Sequence, residues 1–361
     1  MPKQDLKVVS HRKLVNDIQF GPKPGPAVRR PGEFEPHAKT WMAWPHRLDL
    51  YKGRLGVMQA AYAEIAKAIA AFEPVTMVAH PEHAGSARQM LGNAIEVLDV
   101  PIDDCWIRDS GPTYVTGADG TLQGVSWKFN AWGGKHAPSD TDDALAGQLL
   151  AHEAIPTRQS WLTCEGGSLC CDGEGTLIVT ETSILHPNRN PGVGKALVTA
   201  ELKAMLGVEK VIWLPGDPMD RETDGHVDGM CCFIRPGVVM FETNPDWNDP
   251  HARILAENLA VLRQETDAKG RAFEVIAIPE AIEAEVTSEI FARSYINYYL
   301  PNGGVIVPGY GTKGDAEAVA ILSKAFPDRK VVQIDVRSIA PSGGAIHCIT
   351  QEQPLAAGKI S

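Results

Sequence analysis

Three stretches, Gly175-Thr176-Leu177-Ile178-Val179-Thr180, Gly237-Val238-Val239-Met240-Phe241 and Gly304-Val305-Ile306-Val307, share one pattern: a glycine, then a short apolar run rich in β-branched residues. Such runs, bounded by turn residues, predict strands. Val75–Ala79 and Val331–Val336 are two more of the kind. Apolar residues recur at helical spacing near Asp142–Glu153, Lys195–Leu206, Ala252–Gln264 and Asp315–Phe326. A further helix is predicted from about Leu55 to Phe72, with Val57, Ala61, Ile65, Ile69 and Phe72 inward and Pro74 as its stop. Run, loop and helix, repeated along the chain, predict an α/β fold whose repeats surround an axis. A doubly wound sheet would also alternate strands and helices.

The chain has 361 residues, 44% hydrophobic and 22% charged, which fits a soluble globular protein of one large domain or two. Pro22, Pro24, Pro26, Pro31 and Pro36 predict an extended arm laid on the surface. No linker-like stretch follows, so we expect an arm over 1–32 and a single domain over 33–361. The net charge of −11 argues against nucleic acid and anionic lipid as partners and is compatible with a cationic ligand. Seven cysteines, two pairs of them adjacent in sequence, make a poor disulfide framework and suit a reducing cytoplasm. No apolar run predicts a signal peptide or a membrane span.

Two distant motifs carry the chemistry. Glu222-Thr223-Asp224-Gly225-His226-Val227-Asp228 supplies a histidine between carboxylates, and Ser342-Gly343-Gly344-Ala345-Ile346-His347-Cys348 supplies a thiol after a glycine pair. A thiolate surrounded by acids suits attack on a positively charged carbon. Alternation along an extended segment would put Asp224, His226 and Asp228 on one face. Asp103-Asp104-Cys105-Trp106-Ile107-Arg108-Asp109-Ser110-Gly111-Pro112 adds a ring beside carboxylates, a setting for a planar cation. Glu165, before Gly166-Gly167-Ser168, is a carboxylate that can orient His226. Each has a plainer alternative: an inert buried Cys348, a solvated loop at His226, an Arg108–Asp109 ion pair in a turn, a simple turn at Glu165. The doublets Cys170-Cys171 and Cys231-Cys232 lack zinc-site spacing, and adjacent strand residues point to opposite faces. His80 and His83 add only an isolated HxxH; packing is the expected role of these groups and no metal or other cofactor is expected.

Taken together the motifs resemble the agmatine deiminase/bacterial peptidylarginine deiminase family of the pentein superfamily. The matching pieces run in order from Glu33-Phe34-Glu35-Pro36-His37 and Trp41-Met42-Ala43-Trp44-Pro45, through Asp104–Pro112, Phe129-Asn130-Ala131-Trp132-Gly133-Gly134, Glu165–Ser168 and Glu222–Asp228, to Gly343–Gln351. The resemblance implies a five-bladed α/β propeller of pseudo-fivefold repeats around a central active-site channel. It implies hydrolytic deimination of a small guanidine, agmatine first, giving N-carbamoylputrescine and ammonia without metal or organic cofactor. By motif position Cys348 looks like the nucleophile and His226 the acid/base. Asp109 and Asp228 look like the guanidinium clamps, Glu165 the partner of His226, and Trp106 the ring against the guanidinium. Gly344 would let the backbone approach the substrate closely. The family resemblance also suggests a homodimer.

The chain departs from the family beside these groups. It has Ala345 where the family usually has Asn, Ser342 for Gly, and Leu169-Cys170-Cys171-Asp172 for Ile-His-Val-Asp. These bear on the substrate's tail more than on the reaction. An amine tail needs a carboxylate, for which Glu222 is the candidate; an α-carboxylate would want Arg293 or Arg235 instead. The competing readings are deimination of arginine, a methylated or acylated derivative or peptidyl arginine; amidine transfer to an amine; and, outside catalysis, a zinc-binding interaction module built on the cysteine doublets.

Overall fold

The computed structural model describes residues 27–356, and Pro22, Pro24 and Pro26 of the expected arm lie outside them. Of the arm expected over 1–32 the structure describes residues 27–32, and these are tied to the fold. Val28–Arg29 pairs antiparallel with Thr113–Gly117, and the buried Arg30 guanidinium forms an ion pair with the buried Glu352 carboxylate.

Five sheets follow, and they share a plan. In each, a strand pairs antiparallel with a second, a helix crosses over, and a third strand returns parallel to the second. Thr113–Gly117 and Leu122–Lys128 are followed by helix Asp140–His152 and strand Thr157–Thr163. Cys170–Cys171 and Thr176–Thr180 are followed by helix Lys195–Leu206 and strand Lys210–Leu214. Cys231–Arg235 and Val238–Thr243 are followed by helix Pro250–Leu262 and strand Glu274–Pro279. A single bridge at Tyr299 stands in for the first strand beside Gly304–Gly309, before helix Gly314–Ala325 and strand Lys330–Asp335. In the fifth sheet the first strand comes last in the chain. Thr350–Pro354 pairs with His37–Ala43, and helix Leu55–Ala70 and strand Val75–Ala79 follow. Glu96–Asp99 adds one more parallel strand there. The C-terminal strand therefore completes a sheet begun near the N-terminal end of the described residues.

The apolar runs behave as their composition requires. Every residue of Val75–Ala79, Thr176–Thr180 and Gly304–Gly309 is buried, and Gly304–Gly309 packs against both its own crossover helix Gly314–Ala325 and helix Leu55–Ala70 of the next unit. Helix boundaries all fall within two residues of the expected ones; Leu55–Ala70 ends two residues before Phe72. Its buried stripe is Met58, Ala61, Tyr62, Ile65 and Ile69, and Val57 is exposed. At about 100° per residue, Val57 stands roughly 120° off the face that Ile69 defines, whereas Met58 returns to within about 20° of it. Among the described residues no helix is long and apolar enough to cross a membrane.

Candidate active site

The first strand of every sheet is entered through a tight turn, and these five turns converge. Asp109 lies in the one-turn helix Ile107–Ser110 before Thr113–Gly117. Glu165 opens the 3-10 turn Gly166–Ser168 before Cys170–Cys171. His226 and Asp228 belong to the 3-10 turn Val227–Gly229 before Cys231–Arg235. Asn297 stands two residues before the bridge at Tyr299, and Cys348 two before Thr350–Pro354. Each unit thus sends at least one polar side chain, and the third sends two, to a common point.

The distances make the convergence concrete. Asp109 Oδ1 accepts the Gly167 N–H at 2.9 Å and lies 3.8 Å from His226 Nδ1. His226 Nε2 is 3.5 Å from Glu165 Oε2, and neither atom has a hydrogen-bond partner. Cys348 Sγ is 3.7 Å from Asp228 Oδ2 and 3.3 Å from Asn297 Nδ2. A Cβ on Gly167 would lie 2.5 Å from His226 Nδ1 and 3.0 Å from both Asp109 Oδ1 and Asp228 Oδ2, so only glycine leaves room where the three groups meet. A Cβ on Gly344 would lie 2.5 Å from Trp106 Cζ3 and 3.2 Å from Cys348 Sγ, which keeps the gap between ring and thiol open. A cavity of about 340 Å³ is lined by Cys348, His226, Asp228, Asn297 and Gly344; Asp109 and Glu165 are buried next to His226 but do not line it. Its wall carries seven carboxylates against two arginines, the charge expected around a cation.

Burial would lower the pKa of His226, but Asp109 and then Glu165 outweigh it and push it up to about 9. Asp109 is raised, first by burial and then by the neighbouring charges of Asp228 and Glu165. Asp228 is held low despite its burial by His347, whose Nδ1 is 2.8 Å from Oδ2. The Cys348 thiol is pushed well up by burial and by Asp228 and Asp109. The empty site therefore holds a protonated thiol facing carboxylates, and a cation must enter to favour the thiolate.

The extended segment expected at Asp224–Asp228 does not form. Asp224 has φ +61°, and its carboxylate turns away to Arg189, Lys135 and Asn188. A 3-10 turn presents His226 and Asp228 together instead. Nor does Arg108 pair with Asp109. It donates to Glu352 at 2.8 Å, Glu33 at 3.0 Å and the His347 carbonyl at 3.3 Å, and its backbone N–H reaches the Cys348 carbonyl. Asp109 accepts from Trp132 Nε1 at 2.9 Å. Trp106 is held by Tyr51, whose hydroxyl accepts its Nε1–H at 3.1 Å. Glu222 lies in a neighbouring cavity of about 160 Å³, walled also by Trp106, Asp104 and Ser342, where its Oε1 meets His136 Nε2 at 2.6 Å. Arg293 lines the larger cavity already paired with Asp249, whereas Arg235 pairs with Glu274 and does not line it. Cys170 and Cys171 point into different cores, as neighbours in a strand must.

Sequence reasoning missed Asn297, His347, Arg189 and the strut role of Arg108. Arg189 Nε donates to Glu165 Oε1 at 2.6 Å, and His347 bridges Asp228 and Glu33. His347 and Arg108 stood inside quoted motifs; Asn297 carried no signal except its place before the weak fourth first strand. Removing Arg108 would leave Glu352 buried beside Glu33 with only Arg30 in compensation. Arg108→Ala should cost about 3–5 kcal/mol in denaturant unfolding, and a cost under about 1 kcal/mol would rule out the strut.

A buried thiol, an imidazole and carboxylates meet at an acidic cavity, a setting suited to chemistry on a cationic carbon. Residues 29–354 match the family described as Porphyromonas-type peptidyl-arginine deiminases, and the chain belongs to that family. The agmatine deiminase of Stutzerimonas stutzeri (strain A1501) is 43% identical over 348 residues, 90% of this chain and 95% of that protein. The agmatine deiminase of Pseudomonas aeruginosa (strain LESB58) is 42% identical over 350 residues, 90% and 95% of the two chains. The solved agmatine deiminase of Enterococcus faecalis superposes with a TM-score of 0.88 at 35% identity, covering 91% of this chain and 98% of that one.

Proposed function

We propose that the protein is a hydrolase acting on the C–N bond of a linear amidine, and that it converts agmatine and water to N-carbamoylputrescine and ammonia. The observation that carries this reading is the meeting of Cys348, His226 and Asp228 on one acidic cavity, in a chain more than 40% identical to agmatine deiminases. The repeated sheet plan, with the C-terminal strand Thr350–Pro354 completing the sheet of His37–Ala43, supports a single domain built as a five-bladed propeller with this cavity in its channel.

A guanidinium carbon is a poor electrophile, because its charge is shared over three nitrogens. Asp228 and Asp109 hold the group by charge-assisted hydrogen bonds and keep it protonated. Its positive charge favours the Cys348 thiolate, which adds to the central carbon. The His226 imidazolium protonates one amino nitrogen, the C–N bond breaks and ammonia leaves, with an S-alkylthiouronium on Cys348. Imidazole then takes a proton from water as the oxygen adds to the same carbon. Collapse breaks the C–S bond, restores the thiolate and releases the ureido product. Glu165, locked by Arg189, orients His226 and stabilises its charged form, and Trp106 covers the guanidinium plane. The amine tail lies toward Glu222, whose pairing with His136 it must share.

Ammonia release from agmatine, arginine, N-acetylagmatine, methylarginines and a peptidyl arginine tests the substrate. Agmatine should be turned over fastest. Turnover of another member alone would keep the chemistry and move the tail pocket to Ala345 and Ser342. Dependence of the release on an added amine acceptor would signal amidine transfer. A cytoplasmic homodimer matches the family reading, and light scattering reads the dimer directly.

The electrostatics also set a pH profile. In the free enzyme the thiol–imidazolium pair must lose one proton, and that loss falls near the pKa of His226, about 9. Bound guanidinium lowers both pKa values. The acid limb of kcat/KM, which reports free enzyme, should therefore stand at higher pH than that of kcat. Coincident limbs would contradict activation by substrate charge.

A further inference from the structure

His46 follows the strand His37–Ala43, and His80-Pro81-Glu82-His83 follows its parallel neighbour Val75–Ala79. Parallel strands end at the same edge of a sheet, so these two loops leave side by side. Three imidazoles meet there. Ring centroids are 5.4 Å apart for His46 and His80, 5.1 Å for His46 and His83, and 5.9 Å for His80 and His83. Ligand atoms of His80, Glu82 and His83 all lie within 4.8 Å of one another. His46 Nδ1 is buried with no hydrogen-bond partner. None of these residues lines either cavity of the catalytic site.

Packing alone does not account for the group. The three imidazoles are partly exposed, so water can serve most of their nitrogens, but His46 Nδ1 is buried with no partner of its own. Here three rings face one another, and His80 Nδ1 has only a long contact of 3.3 Å from the Glu82 amide, which a metal on that nitrogen replaces. The spacing is that of a shared ligand. With Zn–N near 2.0–2.1 Å and a centroid about 1.1 Å beyond each nitrogen, tetrahedral imidazoles stand roughly 5 Å apart.

We propose that His46, His80, His83 and Glu82 form a binding site for one divalent transition-metal ion of the zinc type, with three imidazole nitrogens and one carboxylate oxygen as ligands. Imidazole and carboxylate are borderline ligands suited to such an ion. The ion would cross-link the loop after His37–Ala43 to the start of helix Ala84–Leu91. The first of these loops leads to Tyr51, which holds Trp106. The site is structural and stands apart from the guanidine chemistry.

The test uses the full chain without a histidine tag, freed of metal by a chelator that is then dialysed away. It is run in a Cys348→Ala background, so that the catalytic thiol takes no ion. Zn²⁺ alone is titrated by calorimetry and followed by thermal unfolding. One equivalent should bind and raise Tm, since a ligand of the native state stabilises it by mass action. His80→Ala/His83→Ala should lose that equivalent and the Tm rise. His46→Ala should weaken binding by at least roughly 10-fold, because even outer-shell partners of a metal are worth that much. Glu82→Gln, on an exposed residue that does not threaten folding, should weaken it as well. No binding to the parent, or binding unchanged in Glu82→Gln and the double-histidine variant, would overturn the proposal.

Discussion

Cys348→Ala is expected to abolish ammonia release from agmatine, with kcat falling on the order of 10⁴–10⁶-fold, and to leave the fold intact. The size follows from the route. Without the thiolate the guanidinium carbon must be attacked by water directly, and the remaining groups can only bind and orient. The fold should hold because the thiol contributes little to packing. It sits at the wall of a cavity, and its neighbours Asn297 and Asp228 keep other partners in the His347 backbone N–H and the His347 ring. Ammonia assays paired with a thermal melt read both halves. A variant that melts normally and still turns over within tenfold of the parent would sink covalent catalysis by this residue.

Asp228→Asn should lower kcat by roughly 10²–10³-fold, with a smaller change in KM. The carboxylate holds the guanidinium, and the cation's charge is what favours the thiolate. The amide keeps the shape and loses the charge, so a substrate that still binds is poorly activated. Asp109→Asn is a less clean experiment, for a reason visible in its contacts. Both Asp109 oxygens already accept, one from the Gly167 N–H and one from Trp132 Nε1. An amide at 109 must point its NH₂ at one of those donors, so it should lose stability along with rate. Asp228→Asn leaves His347 as the one short contact to readjust, beside longer ones from Asn297 Nδ2 at 3.5 Å and Cys348 Sγ at 3.7 Å. An effect at Asp228 confined to a few-fold in KM would contradict the clamp.

Much of the fold was readable because its strands are buried on both faces. Such strands must be continuous apolar runs, and Val75–Ala79, Thr176–Thr180 and Val238–Phe241 stand out against the helices between them. The fourth unit was the hardest to see, because its first strand is reduced to one bridge at Tyr299 with no apolar run of its own. Asn297 was missed with it. The repeated plan itself, an antiparallel pair, a crossover helix and a parallel return, is a matter of hydrogen-bond partners, which the pattern of apolar residues does not contain.

The sequence by itself determined which groups can react. Cysteine, histidine and carboxylates beside glycine pairs bring their chemistry wherever they stand, and their order along the chain was enough to mark a family. Only the tertiary structure decided how those groups are charged and aimed. The raised pKa of His226 comes from Asp109, 117 positions away, and the low one of Asp228 from His347, 119 positions away. Arg108 turned out to clamp the Cys348 segment rather than its own neighbour. Electrostatic work and hydrogen bonding act over a few ångströms of space. Residues separated by a hundred positions acquire a distance only when the sheets have packed and their turns have met.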